Sequence, residues 1–320
     1  MKLKMEHVIL AAVIIGLSAY LVLHRADRTH YRLPQLPEIK RQDISKLEIT
    51  HGGNALVVEK KAGAWQIVPE GYAADGKRIG NMVDAVADLA VTALVSESRQ
   101  YERYGLDDEE RITVKAWTGS HLGREFDVGK EVPTRNHAFI RLAGDDRVFH
   151  GTGILRSQFD VTLDDVRDKT VLSFRAGDIE TVTITRKTGT TVLHRVNSEE
   201  PVEKTDETKE DTTPGPGKTG WQDAAGNTVD ERIVKRLLST LSSLTCESFR
   251  DETGGTDRHE PLMTITLKGP QNEELTVYAK ETDEADRYPA RSSRRACPFY
   301  LHDYRYDSLA SLADELTREP

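Results

Sequence analysis

The feature that most constrains this chain is a repetition. Asp43-Ile44-Ser45-Lys46-Leu47-Glu48-Ile49-Thr50 and Asp178-Ile179-Glu180-Thr181-Val182-Thr183-Ile184-Thr185 share the pattern Asp-Ile-x-x-[Leu/Val]-x-Ile-Thr. In both copies alternation puts Leu47 and Ile49, or Val182 and Ile184, on one face of a half-buried strand, with Ile44 and Ile179 out of phase. A second strand, a Trp-Gln pair (Trp65-Gln66 and Trp221-Gln222) and an amphipathic helix follow each copy in the same order. Asp75, Ile79, Met82, Val83, Val86 and Leu89 recur 155 residues later as Asp230, Val234, Leu237, Leu238, Leu241 and Leu244. The leading Asp suits an N-cap, and the apolar stripe suits packing on a sheet. A chance amphipathic helix would repeat the stripe but not the cap and the preceding Trp-Gln as well.

The strand repeat has an offset of 135 and the Trp-Gln repeat one of 156, so about twenty residues are inserted between those points in the second copy. They fall in 197–220, NSEEPVEKTDETKEDTTPGPGKTG, an acidic stretch without aromatics. Such a composition buries too little apolar surface to offset ordering entropy, so a disordered insertion within the second unit is expected. His51-Gly52-Gly53-Asn54 reads as a hairpin turn. The back halves read as strands over 111–117, 125–128, 137–141 and 147–150, then 262–267, 274–278, 288–291 and 298–301. Short helical segments over 153–168 and 308–317 close them.

Val8 to Leu23 carries no charge and no proline. At ~1.5 Å per residue it covers ~24 Å and needs its flanks to cross a ~30 Å hydrocarbon layer. Cleavage as a signal peptide lacks an Ala-x-Ala site, so a retained anchor is expected. Cationic residues stand on both sides of the run, and the charge count is close to a tie. The expected organisation is an anchor with a short tail at 1–25, a proline-marked stalk at 26–42, a first repeat at 43–176 and a second at 177–320. The fold class is α+β: two similar units in tandem, each a mostly antiparallel sheet with packed amphipathic helices, after one transmembrane helix.

The net charge of -9 argues against nucleic acid as a partner, since phosphate binding needs a basic surface. Cys246 and Cys297 leave the redox compartment open, as one disulfide or as two thiols. No zinc-ligand spacing accompanies them, and no cofactor is expected. His259-Glu260 lacks the second histidine of a zinc-protease helix, and Gly151-Thr152-Gly153 reads as a turn rather than a dinucleotide fingerprint. His51, His121, His137, His150 and His194 are dispersed, and no nucleophile elbow surrounds Ser173 or Ser248. The acidic pairs Asp107-Asp108 and Asp164-Asp165 suit turns or helix starts. Arg287, Arg291, Arg294 and Arg295 form the one basic concentration, near Tyr288, Phe299 and Tyr300. Guanidinium groups there suit an anionic glycan, a lipid headgroup or an acidic protein surface, against a charged strand edge kept soluble.

Lys61-Ala62-Gly63-Ala64-Trp65, the Ala74-Asp75 before a helix, Tyr104-Gly105-Leu106, Asp127-Val128-Gly129 and Asp168-Lys169-Thr170-Val171-Leu172 resemble, in their order, the bacterial family called domain of unknown function 4340. The second unit departs from the pattern, with no Tyr-Gly-Leu and no closing Asp-Lys-Thr. The resemblance implies a single-pass protein of the cytoplasmic membrane with its bulk in the periplasm. It also implies integral-membrane partners of ABC-type transport, as in gliding motility, and carries over no catalytic residue. A non-catalytic binding or scaffold subunit is therefore expected. A hydrolase with a site between the repeats, or a structural spacer, are the alternatives.

Overall fold

A computed structural model describes residues 13–20, 31–133, 137–198, 218–250, 260–282 and 285–317. The chain divides into two compact units, one ending at Val166 and the other beginning at Arg167.

The first unit opens with β1 (Ile44–His51), β2 (Asn54–Lys61), β3 (Ala64–Val68) and β4 (Tyr72–Ala73), followed by α1 (Gly76–Asp88) and β5 (Ala90–Ser96). It continues through β6 (Ile112–Thr118), β7 (His121–Glu131), β8 (His137–Leu142) and β9 (Val148–Thr152) to the short helices α2 (Arg156–Phe159) and α3 (Leu163–Val166). The second contains β10 (Thr181–Arg186), β11 (Gly189–Ser198), β12 (Lys218–Asp223), β13 (Thr228–Val229), α4 (Glu231–Leu241) and β14 (Ser248–Phe249). Then come β15 (Pro261–Lys268), β16 (Glu273–Tyr278), β17 (Arg287–Ser292), β18 (Arg295–His302) and α5 (Asp303–Thr317).

Among the described residues each unit has one nine-stranded antiparallel sheet, ordered β4-β3-β2-β1-β6-β7-β8-β9-β5 and β13-β12-β11-β10-β15-β16-β17-β18-β14. The two orders coincide strand for strand. Register sharpens the match: Trp65 pairs with Lys60 on β2, and Trp221 pairs with Arg195 on β11. Lys60 and Arg195 keep the offset of 135 that relates Leu47 to Val182, so the two tryptophans hold one position in a duplicated sheet.

Leu47, Ile49, Val58, Ile67, Val114 and Phe126 face α1, which contributes Ile79, Met82, Val83 and Val86 to the first core. The second core is built alike from Val182, Ile184, Leu193, Ile265 and Leu275 with Val234, Leu237, Leu238 and Leu241 of α4. Asp75 caps α1 by accepting from the amides of Lys77 and Arg78, and Asp230 caps α4 through Arg232. A cap of this kind contributes about 1 kcal/mol by satisfying amides that have no partner in the helix.

Several expectations need correcting. Ile44 is buried although its phase is wrong for the strand, because Ser45 bulges between the Ile44–Thr118 and Lys46–Trp117 pairs. One extra residue reverses the alternation. Gly151 and Thr152 are strand, not turn, and Gly151 has no side chain because Ile140 Cδ1 would stand 2.8 Å from its Cβ. The edge strands β5 and β14 are additions: Ala90–Ser96 is mostly apolar with no strict alternation, and Ser248–Phe249 is only two residues long. In the 197–220 insertion, the ends are strand: Asn197 pairs with Thr219 and Ser198 with Lys218. Residues 199–217 lie outside the described part.

Residues 31–42 are not a free stalk. Leu33, Leu36 and Ile39 pack on the first core, because three apolar side chains in a twelve-residue stretch gain more by burial than by extension into water. Residues 26–30 lie outside the described part. The division between units falls at 166/167, ahead of the expected 176/177, because Val171 and Leu172 are buried in the second core and the Val171 amide bonds the Leu244 carbonyl. Of the expected membrane span, 13–20 is helical and the rest lies outside the described residues; among the described residues no helix is long and apolar enough to cross a membrane.

Candidate functional site

The richest polar constellation lies on the outer face of the first sheet, the face opposite α1. The connection from β5, at one edge, to β6, in the interior, must cross β9, β8 and β7, and it does so through residues 97–111. A 3-10 turn at Tyr101–Tyr104 is followed by Gly105 in the left-handed region (φ 64) and by fully buried Leu106. Beneath it lies Gly129. A Cβ there would be driven into the Tyr104 carbonyl oxygen and would stand 3.0 Å from Leu106 Cγ. The Tyr104-Gly105-Leu106 and Asp127-Val128-Gly129 motifs are therefore two sides of one contact, and glycine at 129 is what admits the crossing segment.

Tyr101 and Tyr104 each cover a side chain of β8. The Arg141 guanidinium carbon lies 4.5 Å from the Tyr101 ring centre, and Tyr104 meets Phe139 edge-on at 5.0 Å. Arg141 donates from Nε (2.9 Å) and Nη2 (2.6 Å) to Asp127, whose other oxygen accepts from Thr113 Oγ1 at 2.7 Å. Both members of the ion pair are less than one-fifth exposed. Burial works against the Arg141 charge, but hydrogen bonds to Asp127 and Tyr101 outweigh it and hold the group further into its charged range. Arg141 and Arg111 separate two open depressions, of about 650 and 740 Å³. The first is lined by Arg99, Tyr101, Arg103 and Asp108, the second by Thr113, Lys115, Glu125 and Asp127. Arg99 pairs with Asp146, Arg111 with Asp108, and Lys115 lies 3.6 Å from Glu125. Asp107 accepts from the amides of Glu109 and Glu110, and that hydrogen bonding lowers its pKa. The expectation of a turn-capping acid holds at that position.

A row of rings continues along the same face. The His150 ring lies 5.3 Å from Phe139 and 6.5 Å from His137. Burial first, and the neighbouring His137 second, push His150 below the usual imidazole range.

A second cleft, of about 450 Å³, opens at the end of β1 between Ile49, Leu56 and Ile67 below and His51, Glu70 and Asp160 at the rim. His51 Nδ1 is 3.1 Å from Asp160, and Arg156 Nη2 is 3.4 Å from His51 Nε2. An imidazole held by a carboxylate supplies two of the three members of a hydrolytic triad. Here Arg156, a donor only, faces the nitrogen that a nucleophile would need, so the trio reads as a fastening between β1 and α2. Nothing in the sequence joins His51 to Asp160, because the contact exists only once α2 packs over the sheet.

The four arginines of the second unit are not one patch. Arg287 stacks 4.2 Å from the centre of Tyr300, and Arg250 Nη2 is 2.9 Å from Glu281, which accepts from the Tyr300 hydroxyl at 3.1 Å. Arg291 lies on β17 opposite Thr276, and Arg294 is exposed in the turn before β18. Arg295 faces inward: its Nε donates to the Thr170 carbonyl at 2.8 Å and its Nη2 to the Asp168 carboxylate at 2.5 Å. Burial tends to raise the Asp168 pKa, and hydrogen bonds from Thr170 together with the Arg295 charge bring it below the usual carboxylate range. The Asp168-Lys169-Thr170 motif is thus clamped to β18.

Two copies of one antiparallel sheet, each with helices on one face, define a tandem α+β repeat protein. The model of Domain of unknown function (DUF4340) matches residues 65–270, well over half of the chain, and the chain belongs to that family. No curated protein matches the chain, and no solved structure matches it.

Proposed function

We propose that this protein is a non-catalytic, single-pass subunit of the cytoplasmic membrane whose two repeats stand outside the cytoplasm as a binding or scaffold element of an ABC-type transport or envelope complex. The observation that carries the reading is the helical segment 13–20. Its Val13, Ile14, Ile15, Leu17 and Tyr20 are each more than half exposed, uncovered by either core. Contiguous apolar surface of that kind marks a lipid or protein contact.

Binding rather than acid–base chemistry is favoured by the carboxyl groups. Among the described residues, those with a clearly displaced pKa are Asp107, Asp145, Asp168, Asp223 and Asp230, and all are lowered. In four of them a hydrogen bond, from Glu110, Arg147, Asn227 or Arg232, is the largest cause. A general acid working near neutrality needs the opposite displacement. The paired charges and ring row over β6–β9 suit recognition of a polar partner surface.

Mild detergent extraction of native membranes followed by affinity purification is expected to recover the chain with integral membrane subunits. Release by alkaline carbonate, or recovery of the chain alone, would count against the reading.

A further inference from the structure

Residues 31–40 are fastened to the first unit at a defined place. Arg124, 6% exposed, sends Nη1 to the carbonyls of Val86 and Ala87 at the end of α1 and Nη2 to the Pro37 carbonyl at 2.5 Å. The C-terminal carbonyls of a helix are a favourable setting for a cation, which explains how a buried guanidinium is tolerated there. Next to it, Gly123 is the bulge residue of the β6–β7 hairpin, and a Cβ there would stand 3.1 Å from Ile39 Cδ1. The strap is therefore held at the turn end of that hairpin.

That turn end has an unusual surface. Trp117 and Leu122 are cross-strand partners, Lys46 Nζ lies 4.8 Å from the Trp117 ring centre, and Leu122 is 39% exposed. Outside 13–20, Leu122 and Tyr304 are the large apolar side chains left exposed among the described residues. One exposed leucine means little by itself. Its position beside the fastened strap, whose other end leads to the apolar helical segment, is what gives it weight.

We propose that Trp117 and Leu122, with Lys46 beside them, are a lipid contact that seats the first unit directly on the membrane surface. The proposal rests on the anchor reading above. The seven residues His24–His30 between the expected span and the strap reach at most about 25 Å, so the strap begins within that distance of the bilayer to which the helix would belong. Tryptophan at headgroup depth, leucine below it and cations among anionic headgroups is the composition of a membrane interface. The docked strap then acts as a clamp where a loose stalk would have allowed the body to wander.

The test uses the full chain carrying Cys246→Ala and Cys297→Ala, reconstituted into phosphatidylcholine–phosphatidylglycerol vesicles that contain spin-labelled lipid. A bimane fluorophore is placed on Leu122→Cys and, as control, on Asp108→Cys beyond the opposite end of β6, roughly 20 Å or more away at about 3.3 Å per strand residue. The chain is expected to float with the vesicles, and the label at 122 to be quenched at least threefold more than the label at 108. Ser120→Cys in the same turn replaces Leu122→Cys if circular dichroism shows that the latter fails to fold. Flotation with equal quenching at the two sites would overturn the lipid contact and leave the anchor standing. Failure to float would remove the anchor, and the contact with it. Disulfide formation between two Leu122→Cys copies without lipid quenching would assign the surface to self-association and overturn the proposal.

Discussion

Asp127 and Thr276 occupy the same place in the two sheets, each opposite an arginine on the next strand, Arg141 in one and Arg291 in the other. In the first unit the pair becomes a partly buried ion pair under Tyr101; in the second, Thr276 instead meets Thr264 at 3.3 Å. Two residues after Asp127 stands Gly129, under the crossing segment, while the corresponding position two after Thr276 is Tyr278. Arg124 and Glu273, the charged side chains buried below a tenth exposure among the described residues, also share a position. One binds carbonyls of α1 and the strap, and the other accepts from Ser293 at 2.8 Å. The backbone ladders have been kept, and the layers laid against them have diverged. Strand pairing depends on main-chain groups that every residue carries, whereas a crossing loop or docked strap needs particular side chains.

Substitutions at the divergent positions test this comparison. Gly129→Val should cost about 3 kcal/mol or slightly more, because a side chain driven into a backbone carbonyl must lift the whole crossing segment. Urea denaturation followed by Tyr and Trp fluorescence measures it, and an unchanged midpoint would mean the segment is not packed as described. Arg124→Met should cost about 2 kcal/mol, since it leaves the Val86 and Pro37 carbonyls without a donor. It should also speed amide exchange across 31–40, whereas Glu273→Gln, which keeps its acceptor, should leave exchange there unchanged.

The acid limb of stability is expected to be shallower in Asp168→Asn. The Asp168 pKa is lowered on folding, so its contribution is present above the unfolded-state value of about 3.9 and is lost as pH falls through the folded value. Urea midpoints between pH 5 and 2.5 should therefore converge for the two proteins. The smallest effect is expected at His150, whose counterpart in the second sheet is Tyr300. Its folded pKa is depressed, so its contribution is present above about 6.5 and fades as pH falls. His150→Tyr should flatten stability between pH 7 and 5 by a few tenths of a kcal/mol, measurable only by differential titration.

Much of the fold was legible because it repeats. Alternation placed Leu47, Ile49, Val182 and Ile184, the caps identified Asp75 and Asp230, and the change of offset located an insertion between β11 and β12. Ile44 escaped because a bulge breaks the period that alternation relies on, and β5 because a mostly apolar run, AVTALVS, does not alternate. Less of the site could be read. Arg287, Arg291, Arg294 and Arg295 are neighbours in sequence, yet on β17, the turn and β18 they point to different surroundings, and Arg295 faces inward to Asp168.

The sequence by itself determined the duplication, the strand and helix order and the family motifs, since periodicity and caps are local and survive in one dimension. Tertiary structure alone decided that Tyr104-Gly105-Leu106 rests on Gly129, that Asp127 meets Arg141, and that 31–40 is strapped down by Arg124. Those contacts join elements far apart along the chain. Their energies come from burial and hydrogen bonding that exist only once the sheet has brought the partners together.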